Sequence, residues 1–128
     1  MKLLLDTCTF LWLVSGDPRL SDNARTLFSD PDNAVFLSAV SAWEIVVKHA
    51  LGKLSLSDDP ADFVPRERAR HFIEPLPIDE AASLALPRLP NHHRDPFDRL
   101  LVCQALTLGL TLLTPDPEIR RYPAQVLW

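Results

Sequence analysis

The sequence predicts an α/β fold, a three-layer α/β/α sandwich around a short central parallel sheet, and three observations carry that expectation. Short apolar runs, KLLL at 2–5, AVFLS at 34–38 and LTLLT at 110–114, have strand length without polar alternation, the pattern of strands buried on both faces. Segments of helical periodicity separate them, and parallel strands need such crossovers. The chain has 128 residues, 47% of them hydrophobic, the length of one ordinary domain with a sizeable core. A single domain over residues 1–128 is therefore expected, with no repeats or low-complexity segments.

Taken in order, residues 2–5 form a first strand ending at Asp6. Phe10, Leu11, Leu13 and Val14 then trace the apolar face of a helix that Ser15-Gly16-Asp17-Pro18 breaks. Ser21 caps a second helix through Phe28. AVFLS is the second strand and runs into the helix SAWEIVVKHALGKL, ended by Gly52. Residues 60–71 read as a polar helix, EPLPI at 74–78 as a proline-punctuated strand, and 79–86 as another short helix. A long helix over 96–108 stops at Gly109; LTLLT follows, then a turn or two over 117–121 and a final short strand near Val126 and Leu127. Twelve prolines against three glycines fall mostly at helix starts and in loops, where proline is tolerated.

Composition narrows the class. No apolar run approaches 18 residues, and that of MKLLLD is too short for a signal peptide or a span, so a soluble, cytoplasmic protein without a membrane partner is expected. Cys8 and Cys103 lack CxxC spacing and read as packed thiols. The net charge of -4 disfavours a nucleic-acid partner only if it is evenly spread. Of the 17 acids, Asp6, Glu44, Asp98 and Asp116 stand apart by position, and the remainder balances the 13 bases. Ten of those bases are arginine, whose planar fork suits phosphate oxygens.

Asp6 ends the first strand, Glu44 lies in the first turns of the helix after the second, Asp98 opens the long helix and Asp116 follows LTLLT. The carboxyl ends of parallel strands lie along one edge, and ligands bind in the crevice outside it. Each acid also has a purely structural reading. Asp6 and Asp116 are acceptable caps, and Glu44 completes a Ser41-x-x-Glu capping box or pairs with Lys48. In NHHRDPFDRLL at 91–101, Asp95 suits an N-cap, Pro96 the first helical position and Asp98 the acid of a capping box. Capping, however, accepts serine, threonine, asparagine or glycine as readily and does not demand four converging carboxylates. Four like charges in one crevice raise each other's pKa unless a cation sits among them. Mg²⁺ or Mn²⁺ suits such oxygen donors, and a metal-activated water attacks a phosphodiester near neutral pH; one ion and two both remain open. Zinc at His92 and His93 is disfavoured, since adjacent histidines rarely reach one ion and no His-x3-His spacing occurs. An exposed loop is expected there, with Arg94 facing substrate.

LLLDTCTFLW, SAVSAWEIVVKHALGKL, HRDPFDRLLVCQAL and LTLLTPDPEIRRYPAQVLW together resemble the PIN-domain family, in particular VapC-like toxins of toxin–antitoxin pairs. The resemblance covers nearly the whole chain and rests on the order of short motifs, the chain length and the 18-residue step from Asp98 to Asp116. It implies a metal-dependent endoribonuclease, with Asp6, Glu44, Asp98 and Asp116 as the metal-binding and catalytic acids. Three of these would coordinate metal directly or through water, and Glu44 would bind metal or orient the attacking water. Thr114 matches the family's hydroxyl near the last acid and would position substrate or a water. The helix start offers both Asp95 and Asp98; the spacing to Asp116 favours Asp98. The resemblance further implies an RNA substrate, a homodimer, and a cognate antitoxin whose chain covers the acidic groove.

Arg94 and Arg99 are candidates for contacting the scissile phosphate, Arg99 alternatively for pairing with Asp95 at i+4. RERAR at 66–70 reads first as a solvated helical face and second as a guide for RNA. Two rivals remain: a phosphoacceptor-type signalling domain and a non-catalytic RNA-binding module of similar fold. The first lacks paired acids after the first strand and a lysine after the last main one. A dehalogenase-like phosphatase would want aspartate where Cys8 stands. Retention of all four acids speaks against the non-catalytic module.

Overall fold

The computed structural model describes residues 1–128. Five strands form one parallel sheet: β1 (Lys2–Leu5), β2 (Ala34–Ser38), β3 (Glu74–Leu76), β4 (Thr111–Leu113) and β5 (Val126–Leu127), in the spatial order β3-β2-β1-β4-β5. Six helices connect them: α1 (Thr7–Ser15), α2 (Asp22–Ser29), α3 (Ala39–Ala50), α4 (Pro60–Arg70), α5 (Glu80–Ala85) and α6 (Pro96–Leu108). The three-layer α/β/α sandwich expected from the sequence is observed. β1 and β2 coincide with the apolar runs at 2–5 and 34–38, while β3 and β4 are shorter than the stretches at 74–78 and 110–114.

Alternation along the strands divides the core into two layers. Leu4 and Leu112 point to the face covered by α5 and α6, where Leu101, Val102 and Ala105 are also buried. Leu3, Leu5, Val35, Leu37 and Leu113 point to the opposite face, against Phe10, Ala24, Ile45 and Val64. Both faces are covered, which is why these strands show no polar alternation.

The strand order places the functional edge. From β1 the chain steps outward to β2 and β3, then returns through α5 and α6 to lay β4 on the other side of β1. The order therefore reverses between β1 and β4, and a crevice opens at such a switch point beyond the strand ends. Asp6 follows β1 directly, and Thr114 and Asp116 follow β4.

One local expectation changes. The helix after β2 begins at Ala39, because Ser38, not Ser41, is its N-cap and accepts from the Val40 N–H at 3.0 Å. Glu44 thus stands in the second turn, outside any capping box, and the buried Ser41 hydroxyl has no hydrogen-bond partner. Both serines suit a cap by type; where β2 ends selects the earlier one.

Candidate active site

Asp6 turns from the end of β1 into the start of α1, where its Oδ1 accepts from the Thr9 N–H at 2.9 Å. Its Oδ2 accepts from the Thr114 hydroxyl at the end of β4, across the switch point. The Cys8 thiol, 3.4 Å from Oδ1, adds a weak third contact. Burial pushes the Asp6 pKa above its usual value, and these hydrogen bonds oppose that rise. Thr114 is fully buried and also accepts from the Asp116 N–H at 3.1 Å. Its hydroxyl thereby holds Asp6 and Asp116 in place, and Thr114 is not among the residues that line the cleft. Asp116 Oδ1 in turn accepts from the Glu118 N–H at 2.9 Å.

Glu44 is buried on α3 and points at the same edge. The Thr7 hydroxyl donates to its Oε1 at 2.5 Å, and Lys48, one turn on, donates to its Oε2. Burial alone would lower the Lys48 pKa, but Glu44, with Asp95 and Asp98 behind it, raises it on balance. At the start of α6, Asp95 is the N-cap, accepting from the Phe97 and Asp98 N–H groups at 2.9 and 3.1 Å. Asp98 does not reach back to close a capping box. Its Oδ2 lies 3.4 Å from His93 Nε2, the single hydrogen-bond contact of that carboxylate. Burial, then the charges of Asp95, Glu44, Asp116 and Asp6, push its pKa up to about 8.

The four predicted acids therefore meet. Asp6, Glu44, Asp98 and Asp116, with Asp95, Thr7, Cys8 and Lys48, line a cleft of about 180 Å³. A larger hollow of about 530 Å³ lies beside α1 and α4, but its two acids, Asp17 and Glu67, are both paired with arginines. It lacks unbalanced charge, which the small cleft has.

Arg94 and Arg99 do not join the acids. Arg94 is exposed and outside the cleft lining. Arg99 points away, donating to Pro90 O at 2.8 Å and to the Tyr122 hydroxyl at 3.1 Å, and the expected pair with Asp95 does not form. Arg66 and Arg70 pair with Asp58 and Glu67, consistent with an ordinary charged helix face. His93 corrects the exposed-loop expectation, being half-buried between Tyr122 and Asp98. Lys48, Thr7, His93 and Tyr122 are the neighbours that sequence reasoning missed or underrated. Only Lys48 had a local signal, its i+4 spacing from Glu44.

The donor set decides what the cleft suits. Five carboxylates face one lysine there. The Cys8 thiol is pushed upward by burial and then by Asp6, so it stays protonated and offers no thiolate. What remains is hard oxygen, suited to Mg²⁺ or Mn²⁺ and unsuited to a zinc site. No three side chains are already gathered as a ligand set for one ion.

Fold and cleft together define a doubly wound α/β protein with an acid-lined crevice at its switch point. Residues 3–125 match the PIN domain family, and the chain belongs to it. Ribonuclease VapC16 of Mycobacterium tuberculosis is 40% identical over 68 residues, half of this chain and 48% of that protein, so the match spans about half the relative's length. Among solved structures, VapBC2 from Rickettsia felis bound to a promoter DNA fragment superposes with a TM-score of 0.73 at 16% identity, covering 99% of this chain and 98% of that one. A toxin–antitoxin complex from Klebsiella pneumoniae gives 0.64 at 19%, covering 98% and 96%. These two likenesses establish the fold.

Proposed function

We propose that this protein is a metal-dependent endoribonuclease, the toxin of a toxin–antitoxin pair, cutting RNA phosphodiesters at the acid cleft. The observation that carries the reading is the surplus of carboxylates at the switch point, above all Asp98, which no basic side chain of the chain pairs with beyond His93. Family membership, the partial identity to a protein named a ribonuclease and the structural likeness to a toxin–antitoxin complex support it.

Asp6, Glu44, Asp98 and Asp116 would hold Mg²⁺ or Mn²⁺, which when bound polarises a phosphoryl oxygen and makes a water acidic enough to attack it. The chain's own residues prepare that chemistry. Thr114 and the Thr9 N–H fix both oxygens of Asp6, and Thr7 and Lys48 fix both oxygens of Glu44. Glu44 is thereby held in one orientation, to bind the ion or to orient the attacking water. Lys48 supplies the one positive charge of the cleft lining, where it would attract a phosphate. A homodimer and a cognate antitoxin that covers the groove belong to the same reading.

The test is direct. Purified protein is expected to cleave RNA with Mg²⁺ or Mn²⁺ and to lose the activity in excess EDTA. Asp98→Asn is expected to remove cleavage without unfolding the chain, and Asp95→Asn to spare most of it. Full cleavage in EDTA sinks the mechanism, and the reverse outcome for the two variants exchanges their roles.

A further inference from the structure

We propose that His93 is a positioning residue for Asp98, its Nε2–H held toward the carboxylate by a hydrogen-bond relay that runs from Arg99 through Tyr122. The relay is assembled from three parts of the chain: the loop before α6, the first turn of α6, and the turn between β4 and β5. The Tyr122 oxygen has three partners: Arg99 Nη1 at 3.1 Å, the His93 backbone N–H at 3.3 Å and His93 Nδ1 at 2.6 Å. The first two can only donate, and together they occupy the two lone pairs of the phenol. The phenol proton therefore goes to the one remaining partner, Nδ1, which must be the acceptor. A neutral imidazole with an unprotonated Nδ1 carries its proton on Nε2. That atom lies 3.4 Å from Asp98 Oδ2.

The opposite order fails on counting. With the proton on Nδ1, the phenol would face three donors, and its own proton would have no acceptor. The ring is also held from outside. Arg99 ties Pro90 O at 2.8 Å, Arg121 ties His92 O at 3.0 Å, and the His92 ring packs edgewise on Tyr122 with centroids 4.9 Å apart. Tyr122 itself is 3% exposed and anchored in the α6 layer of the core. The imidazole is thus a rigid arm, not a loop side chain free to turn.

For Asp98 the consequence is orientation. One oxygen is engaged by His93, and the other is left without a hydrogen-bond partner beside Asp6, Glu44 and Asp116. A partner behind a ligating carboxylate selects its rotamer before any cation arrives, and losing such partners weakens metal binding about 10–100-fold. This consequence rests on the metal-site reading above; the direction of the relay does not.

Two measurements on the full chain separate them. Long-range ¹⁵N–¹H spectra of metal-free protein should show His93 as the Nε2–H tautomer, with the resonance identified by its loss in His93→Gln. Tyr122→Phe removes the donor to Nδ1 and should mix the tautomers. In Mn²⁺ titrations, His93→Ala should bind about 10–100-fold more weakly, while His93→Gln, whose amide N–H still donates, recovers part of the loss. With RNA as substrate, kcat should fall in His93→Ala and KM stay near its original value. An Nδ1–H tautomer overturns the relay, and unchanged Mn²⁺ affinity in a folded His93→Ala overturns the positioning role. Absence of RNA cleavage in the unsubstituted protein would count against the proposed function alone, since the spectra and the Mn²⁺ titration are read without RNA.

Discussion

The wall of the cleft built from β1 and α3 and the wall built from α6 carry the same functional group in opposite conditions. On the first, every carboxylate oxygen is engaged: Asp6 by Thr114 and the Thr9 N–H, Glu44 by Thr7 and Lys48. On the second, Asp95 is spent as a helix cap, while Asp98 has one long contact to His93 and is pushed up to about 8 by burial and by its acidic neighbours. The difference shows a division of labour. One wall is set by the protein's own donors; the other leaves Asp98 with one long contact and no full counter-charge.

The largest effect expected from breaking this contrast is on activity. Asp98→Asn should cut RNA cleavage by about 1000-fold, roughly 4 kcal/mol of transition-state stabilisation, measured as kcat/KM with Mg²⁺ or Mn²⁺. The same substitution should leave the metal-free protein as stable as before at neutral pH, or more so, because it removes a charge that is costly to ionise.

The pH dependence follows from the same group. Asp98 titrates at about 8 when folded and near 3.9 when unfolded, so the folded state holds the proton longer. Its contribution is complete below the unfolded value and is lost as pH rises through the folded one. The melting temperature of metal-free protein should fall between about pH 5 and pH 8. Saturating Mn²⁺ should reduce that fall, and Asp98→Asn should remove most of it. A fall of equal size in Asp98→Asn would move the uncompensated charge elsewhere in the cleft.

On the engaged wall the sign reverses. Thr114→Val keeps the shape but leaves a buried Asp6 oxygen without its partner, which should cost about 1–3 kcal/mol in denaturant unfolding. The smallest effect is expected at Lys48, which is half-exposed. Lys48→Ala should change stability by less than about 1 kcal/mol, while divalent cations bind more tightly because Glu44 loses its internal counter-charge. A stability loss as large as that of Thr114→Val would mean that Lys48 belongs to the rigid frame.

Much of this was legible along the chain because the signals are local. An apolar run that ends in Asp6, or in Thr114-Pro115-Asp116, marks both a strand and the functional edge beyond it. Asp95-Pro96 marks a helix start, and Asp98 follows one turn's worth of geometry later. The relay behind Asp98 had no such signal. His93 and Tyr122 are 29 residues apart, and nothing periodic connects a loop histidine to a tyrosine beyond the next strand. Arg99 illustrates the same limit: an i+4 partner was available in Asp95, but the guanidinium turned toward carbonyls that only the folded loop brings near.

What the sequence determined by itself was the set of elements, the layer architecture and the identity of the converging acids, since each depends on residue type and near neighbours. Tertiary structure alone decided how each acid is used. Thr114 reaches Asp6 from 108 residues away because β4 lies beside β1. The same packing leaves Asp98 among like charges, with one long contact to His93 and with the cleft's lysine paired to Glu44 instead. Pairing across a sheet edge depends on which strands become neighbours, and that is settled by the packing of the whole chain.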